Sequence, residues 1–231
     1  MATAQLACLA SAKLCAIRVS RLGPDCAPVA GVNNAVVTSA VVKLIGTPQY
    51  DAGQEYTLKN GCGNTVVELR EVDKLKSMNL DVELALRDME LIELMTGAQL
   101  YLNADTPTPH VIGMSRRGVG AAAPASVSVE IWTRAISLTG DCTPGVSAVP
   151  QWWRIIYPKA TFTLDTATFE NSVGVITLKG FASANPQWGN GPFNDYPAAT
   201  LLDPTTPEAY ILDASGLPVT QCGYISVPVQ T

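Results

Sequence analysis

The chain has 231 residues, 47% hydrophobic and 15% charged, and 20 Asp plus Glu against 15 Lys plus Arg give a formal net charge of −5. It is long enough to bury a core without staples and too apolar to stay disordered. Nucleic-acid affinity comes mainly from cationic side chains that displace counterions, and no basic run exceeds Arg116-Arg117, so a DNA- or RNA-binding role is excluded. No stretch of ~18 apolar residues exists to span a membrane, and the sparsely charged surface leaves room for self-association.

The N-terminal "MATAQLACLASAKLCAIRVS" lacks the basic start of a signal peptide, and Lys13 and Arg18 interrupt its apolar stretch. The expectation is a chain made and kept in a cytosol until it is assembled. Cys8, Cys15, Cys26, Cys62, Cys142 and Cys222 form no C-x-x-C pair, and buried free thiols are favoured over three disulfides. A strand is expected over Ala35–Leu44. Two more, Glu55–Leu58 and Thr65–Leu69, flank the turn signal "KNGCGN". "MNLDVELAL" alternates: Met78, Leu80, Val82, Leu84 and Leu86 share one face, Asn79, Asp81 and Glu83 the other.

A short helix follows, over about residues 88–96. Asp88 is the candidate N-cap, Glu90 lies in the first turn, Gly97 stands at the C′ position, and Leu91, Leu94 and Met95 form its apolar stripe. So short a helix must lie on a sheet. Beyond it, strands are expected at Leu100–Asn103, Arg154–Leu164, Val173–Ala182 and Gln221–Val227. "VSVEIWTRA" sets Val127, Val129 and Ile131 against Ser128, Glu130 and Trp132. The prolines at 107, 109, 204, 207 and 218 mark loops rather than linkers, and no internal repeat is visible. The fold class is mainly β: one domain over residues 1–231, with 185–231 a candidate loop-rich C-terminal extension.

Chemistry-bearing constellations are missing from the sequence. His110 is the sole histidine and sits between loop prolines, so no Ser-His-Asp or Cys-His arrangement and no Cys/His zinc cluster can be assembled from sequence neighbours. Eight of the twenty carboxylates lie between Glu68 and Glu93, mixed with four cations, which reads as solvated faces rather than a glycosidase pair. "GCG" at 61–63 and "GVG" at 118–120 are too short to cradle phosphate. No D-x-D-x-D-G calcium loop appears. No catalytic, cofactor-binding or metal residue is assigned, and an enzyme is not expected.

The densest signal is "NPQWGNGPFNDYP", Asn185 to Pro197, with three prolines, two glycines and three aromatics in thirteen residues. Trp188, Phe193 and Tyr196 could cap their own sandwich, stack on a sugar, or anchor a neighbouring subunit. Three segments bear on the choice. "RVSRLGPDCAPVAG", "NLDVELALRDMELIELMTGAQL" and "NPQWGNGPFNDYP", in that order across residues 14–200, resemble the major tail tube proteins of long, flexible-tailed bacteriophages, particularly those infecting actinobacteria. The resemblance implies a β-sandwich or partial barrel with a flanking helix. It further implies a subunit of hexameric rings that stack into the tail tube, each lending strands to one inner barrel that conducts DNA at ejection.

The partners so implied are other copies of the chain, a tape measure protein and a tail terminator. DNA passes without specific binding, no cofactor is needed, and the place of residence is the virion tail after assembly in the host cytoplasm. Six copies of four strands, spaced ~4.8 Å and tilted ~40°, would form a barrel about 48 Å across. Six copies of −5 give a ring of −30, which repels phosphate. Within this scheme Trp188, Phe193 and Tyr196 are the candidates for subunit contact, and Asp81 and Glu83 for facing the lumen. The alternatives are a related ring-forming tail protein (terminator or baseplate) and a secreted carbohydrate-binding β-sandwich.

Overall fold

The computed structural model describes residues 9–85, 88–105, 109–118, 120, 124–137, 152–167, 175–195, 203–213 and 216–230. In chain order the strands are β1 (Leu9–Arg21), β2 (Gly31–Thr38), β3 (Val41–Asp51), β4 (Glu55–Lys59), β5 (Thr65–Arg70) and β6 (Lys74–Leu84). Helix α1 (Met89–Thr96) follows. Then come β7 (Gln99–Leu102), β8 (Val111–Ser115), β9 (Val127–Ser137), β10 (Trp152–Ala167), β11 (Ile176–Ser183), β12 (Ala209–Asp213) and β13 (Tyr224–Val227). The molecule is mainly β with one short flanking helix among the described residues, as its alternating patterns require.

One antiparallel sheet carries the architecture, in the order β13-β2-β1-β9-β10-β11-β6-β3, with β12 also paired to β10. β10 is the hinge of this arrangement. One of its edges pairs with β9. The other pairs with β12 along Trp152–Ile156 and then with β11 along Lys159–Ala167. The register shifts between Tyr157 and Ala160, where Pro158 has no N–H to give to a ladder. The two halves of the sheet share one core. Ile17, Val19, Val36, Val129 and Ile131 come from one half, and Leu80, Val82, Leu84, Phe162 and Leu178 from the other.

Helix α1 closes this core with Leu91, Ile92, Leu94 and Met95, all buried. Its ends follow the sequence signals. The Asp88 side chain accepts a hydrogen bond from the Leu91 N–H, and Gly97 takes the left-handed φ of 67° while its N–H bonds to the Glu93 carbonyl. The helix is tied down by Glu93, which accepts from Arg21 Nη2 at 3.0 Å and from Tyr224 Oη at 2.5 Å. Burial, and then the Glu93 carboxylate, push the Tyr224 phenol well above its ordinary value.

Several expectations need correction. The expected strand Ala35–Leu44 is two strands, β2 and β3, broken at Ser39-Ala40, where the Thr38 hydroxyl accepts from the Ala40 N–H. β1 carries no clean alternation because residues 16–20 are buried on both faces and its pairing with β9 is interrupted by two bulges. Within 185–231, β12 and β13 are strands of the main sheet. Cys15, Cys26, Cys62 and Cys222 are free thiols, but none is buried: the first two are half-buried, the others exposed. Cys8 and Cys142, with Leu86 of the alternating face and Val173 of the expected strand start, lie outside the described residues.

Candidate functional site

β9 is buried on both faces along 127–133. Val127, Val129 and Ile131 point into the apolar core, while Ser128, Glu130 and Trp132 point the other way. β1 and β10 flank it, and the register brings Arg18 opposite Glu130 and Arg154 opposite Trp132. Arg18, Glu130 and Arg154 are all buried, Glu130 to 0% exposure.

Asp195, from the proline- and glycine-rich loop, completes a ring of alternating charge. Arg18 Nε donates to Glu130 Oε2, and Arg154 Nη2 to Glu130 Oε1 at 2.6 Å. Asp195 accepts from Arg154 Nη2 at 2.7 Å and from Arg18 Nη2 at 3.0 Å. Two cations and two anions leave no net charge inside, and a fully compensated buried network is the one kind that does not cost heavily. Burial by itself would push the Asp195 carboxyl up, but the Arg18 and Arg154 guanidiniums outweigh it and hold the group below the usual carboxylate range. Burial likewise opposes the charge on Arg154, and Glu130 and Asp195 overcome it and raise its pKa. The aromatic rings finish the packing. Both guanidinium carbons lie 5.1 Å from the Trp132 ring centroid, and that of Arg18 lies 3.9 Å from the Phe193 centroid.

The loop that supplies Asp195 is bound to its own chain throughout. Trp188 is 2% exposed and packs with Ile156 of β10 and Ile211 of β12. The Asn185 amide donates to the Cys26 and Pro158 carbonyls, and the Asn194 amide to the Val229 carbonyl. Asn194 itself takes a left-handed φ of 52°, a region that Asn enters more readily than most residues. Trp188 is therefore a packing group within its own chain with no surface to offer a neighbour or a sugar, whereas Phe193 is half-buried against Arg18. Tyr196 lies outside the described residues.

The open surface is elsewhere. β4 and β5 form a hairpin that continues the β3–β6 ribbon beyond the body of the molecule, and every residue of both strands is exposed. Its register pairs Tyr56 with Leu69 and Leu58 with Val67 on one face, and Glu55 with Arg70 and Thr57 with Glu68 on the other. This arm is amphipathic, yet nothing among the described residues covers its apolar face: those four side chains are between 49% and 64% exposed. The arm leaves the body at a kink where Gly53 is required. A Cβ there would stand 1.9 Å from the Glu71 carbonyl oxygen.

Asp81 and Glu83 lie half-buried on the polar face of β6, as the alternation implies. Glu83 Oε1 is 3.5 Å from Lys43 Nζ, and Asp81 is opposite Lys179, which pairs with Asp165 at 3.0 Å. The face thus mixes the carboxylates Asp81, Glu83 and Asp165 with the ammoniums Lys43, Lys179 and, by the β10–β11 register, Lys159.

Among the described residues, no group of three or more His, Cys, Asp or Glu could hold a metal ion, and no helix is long and apolar enough to cross a membrane. The sequence pattern held one overlooked signal for the quartet. Trp132 alternates with Ser128 and Glu130, and a tryptophan on a polar face indicates that the face is covered. Arg18 gave no such sign. What the fold and the site define is a mainly β protein with a charge cluster of three buried groups capped by the partly exposed Asp195, and a bare apolar arm. No protein-family model matches the sequence, and no curated protein matches it.

Proposed function

We propose that this chain is a structural subunit that assembles with copies of itself into stacked rings, the tail tube of a long-tailed bacteriophage being the form its sequence resemblance favours. The observation that carries the reading is the arm. A two-stranded hairpin is marginal in water even when it has support, and this one turns Tyr56, Leu58, Val67 and Leu69 to solvent. Apolar patches of that kind mark interaction sites. The outer edge of β3, Val41–Asp51, also has no partner strand among the described residues, and an open edge of that length is a template for pairing between chains.

The half-exposed ladder around Asp81 and Glu83 suits a wall past which DNA must slide: carboxylates and ammoniums are interspersed, with no basic stripe. Burial of Trp188 takes away one of the three aromatics that the carbohydrate-binding alternative could use. Electron microscopy and mass determination of the purified chain over a concentration series test the proposal. Rings or tubes are expected, stacked tubes favouring the tail tube over a terminator or baseplate ring. A strict monomer at high concentration overturns it.

A further inference from the structure

We infer that the apolar face of the arm lies in a groove on the body of a second copy, head to tail, so that each subunit gives an arm to one neighbour and receives one from the other. This rests on the self-assembly reading above and names the two surfaces that would meet.

The groove lies on the far side of β10 from the charge quartet. It is about 420 Å³ in volume and is lined by Tyr50, Leu75, Ile155, Tyr157 and Tyr210 among others. Tyr50 and Tyr210 are each 60% exposed. Its carboxylate, Glu208, already accepts from Tyr157 Oη at 2.7 Å, so what the groove offers a visitor is aromatic and aliphatic surface edged by tyrosine hydroxyls. A hollow of about 240 Å³ beside it shares Ile155 and Tyr210 and adds Trp153. The arm starts from the rim of this groove, at Tyr50 and Leu75, and runs outward. The nine steps from Tyr50 to Lys59 reach at most about 30 Å at the usual ~3.3 Å per residue. Pointing away from the body, it leaves its own groove empty.

Areas favour this pairing over two arms meeting face to face. The four apolar side chains expose on the order of 400 Å², the size at which a patch on a monomer is commonly functional. A pair of arms buried against each other would leave both grooves open. Arm in groove covers both surfaces. The contact is heterologous, and such contacts close into rings when the rotation allows. One such junction buries about 800 Å² in total, less than the ~1,200–2,000 Å² of a stable pair, whereas a subunit in a closed ring makes two of them. Isolated dimers should therefore be scarce, and assembly should pass from monomers to closed rings.

Disulfide trapping between copies tests this, with the full chain carrying Cys8→Ser, Cys62→Ser, Cys142→Ser and Cys222→Ser, which removes the two exposed thiols among the described residues and the two cysteines outside them. One preparation adds Leu58→Cys, a second adds Tyr210→Cys, and the two are oxidised separately and as a mixture under assembling conditions. A band of twice the chain's mass on non-reducing gels is expected from the mixture and not from either preparation by itself. A strong band from Leu58→Cys by itself means arms meeting arms and overturns the proposal. Assembly, seen by light scattering, without the mixed band overturns the contact but leaves the self-assembly reading intact. A chain that never assembles overturns both. Independently, Leu58→Asp should raise the concentration needed for assembly about tenfold or more. An unchanged assembly concentration contradicts the proposed contact.

Discussion

The loop at 185–195 and the arm at 51–73 look reversed from what their sequences suggest. The loop is irregular and rich in breakers, and it is the one whose anchors, Asn185 and Trp188, are buried. Trp188 is sealed under β10 and β12, and Asp195 locks two buried arginines. The arm is a regular hairpin with paired strands and a clean two-residue alternation, and it is bare. Regular hydrogen bonding is therefore no guide to how completely an element is covered. A loop can be buried when side-chain amides and carboxylates occupy the polar groups around it, as Asn185, Asn194 and Asp195 do here. A hairpin satisfies its inner polar groups but has no means of covering its own apolar face.

The sharpest way to break the covered side is to remove the buried carboxylate. Glu130→Ala leaves the buried Arg18 and Arg154 with only the partly exposed Asp195 between them, and breaking a buried pair in this way costs about 3–5 kcal/mol. Urea denaturation of the monomer should show a loss in that range, and a loss under 1 kcal/mol would mean that the guanidiniums reach water. Trp188→Ala comes next. It opens a cavity against Ile156 and Ile211 and should cost about 3 kcal/mol by the same measurement. Were Trp188 an interface residue instead, the monomer would melt unchanged.

Acid gives a smaller and graded effect. Asp195 has a depressed pKa in the folded chain, so its contribution is complete above the ordinary carboxylate value of about 3.9. That contribution is lost as the pH falls through the folded value. Stability of the parent chain should drop through this range, and Asp195→Asn should remove that part of the slope. Identical slopes for the two proteins would show that the Asp195 salt bridges do not form in solution.

Outer surfaces should hardly move the monomer at all. Replacing Asp81 and Glu83 by Lys changes each chain by +4, or 6 × 4 = +24 per hexamer, and should convert the assembled particle into a salt-sensitive DNA binder with its core intact. DNA retention measured against salt checks this, and retention equal to the parent's removes these residues from any DNA-facing wall. Smallest of all is the effect of Leu58→Asp on the monomer. It should stay within about 0.5 kcal/mol, because the side chain touches little that it could lose. A large loss would show that the arm folds back on its own chain.

Periodicity made much of this fold legible. The β6 alternation, the helix between Asp88 and Gly97, the β4–β5 hairpin around "KNGCGN" and the strand at Val127 all follow from local rules. β1 escaped because a strand covered on both faces loses its alternation, and an arginine inside it looks like an interruption. β8 and β12, five residues each, are too short to show a period. The quartet was out of reach, since Arg18, Glu130, Arg154 and Asp195 are scattered over 177 positions and are joined only by strand register and one loop.

By itself, then, the sequence determined the class: a β-rich, net acidic chain with aromatics placed in its loops. Which aromatics are hidden was decided by tertiary structure. Local pattern fixes the face on which a side chain lies, since that depends on neighbours one or two residues away. Whether anything covers that face depends on segments a hundred residues distant, as the Asn185–Asp195 loop shows for β9 and the bare face of the arm shows for β4 and β5.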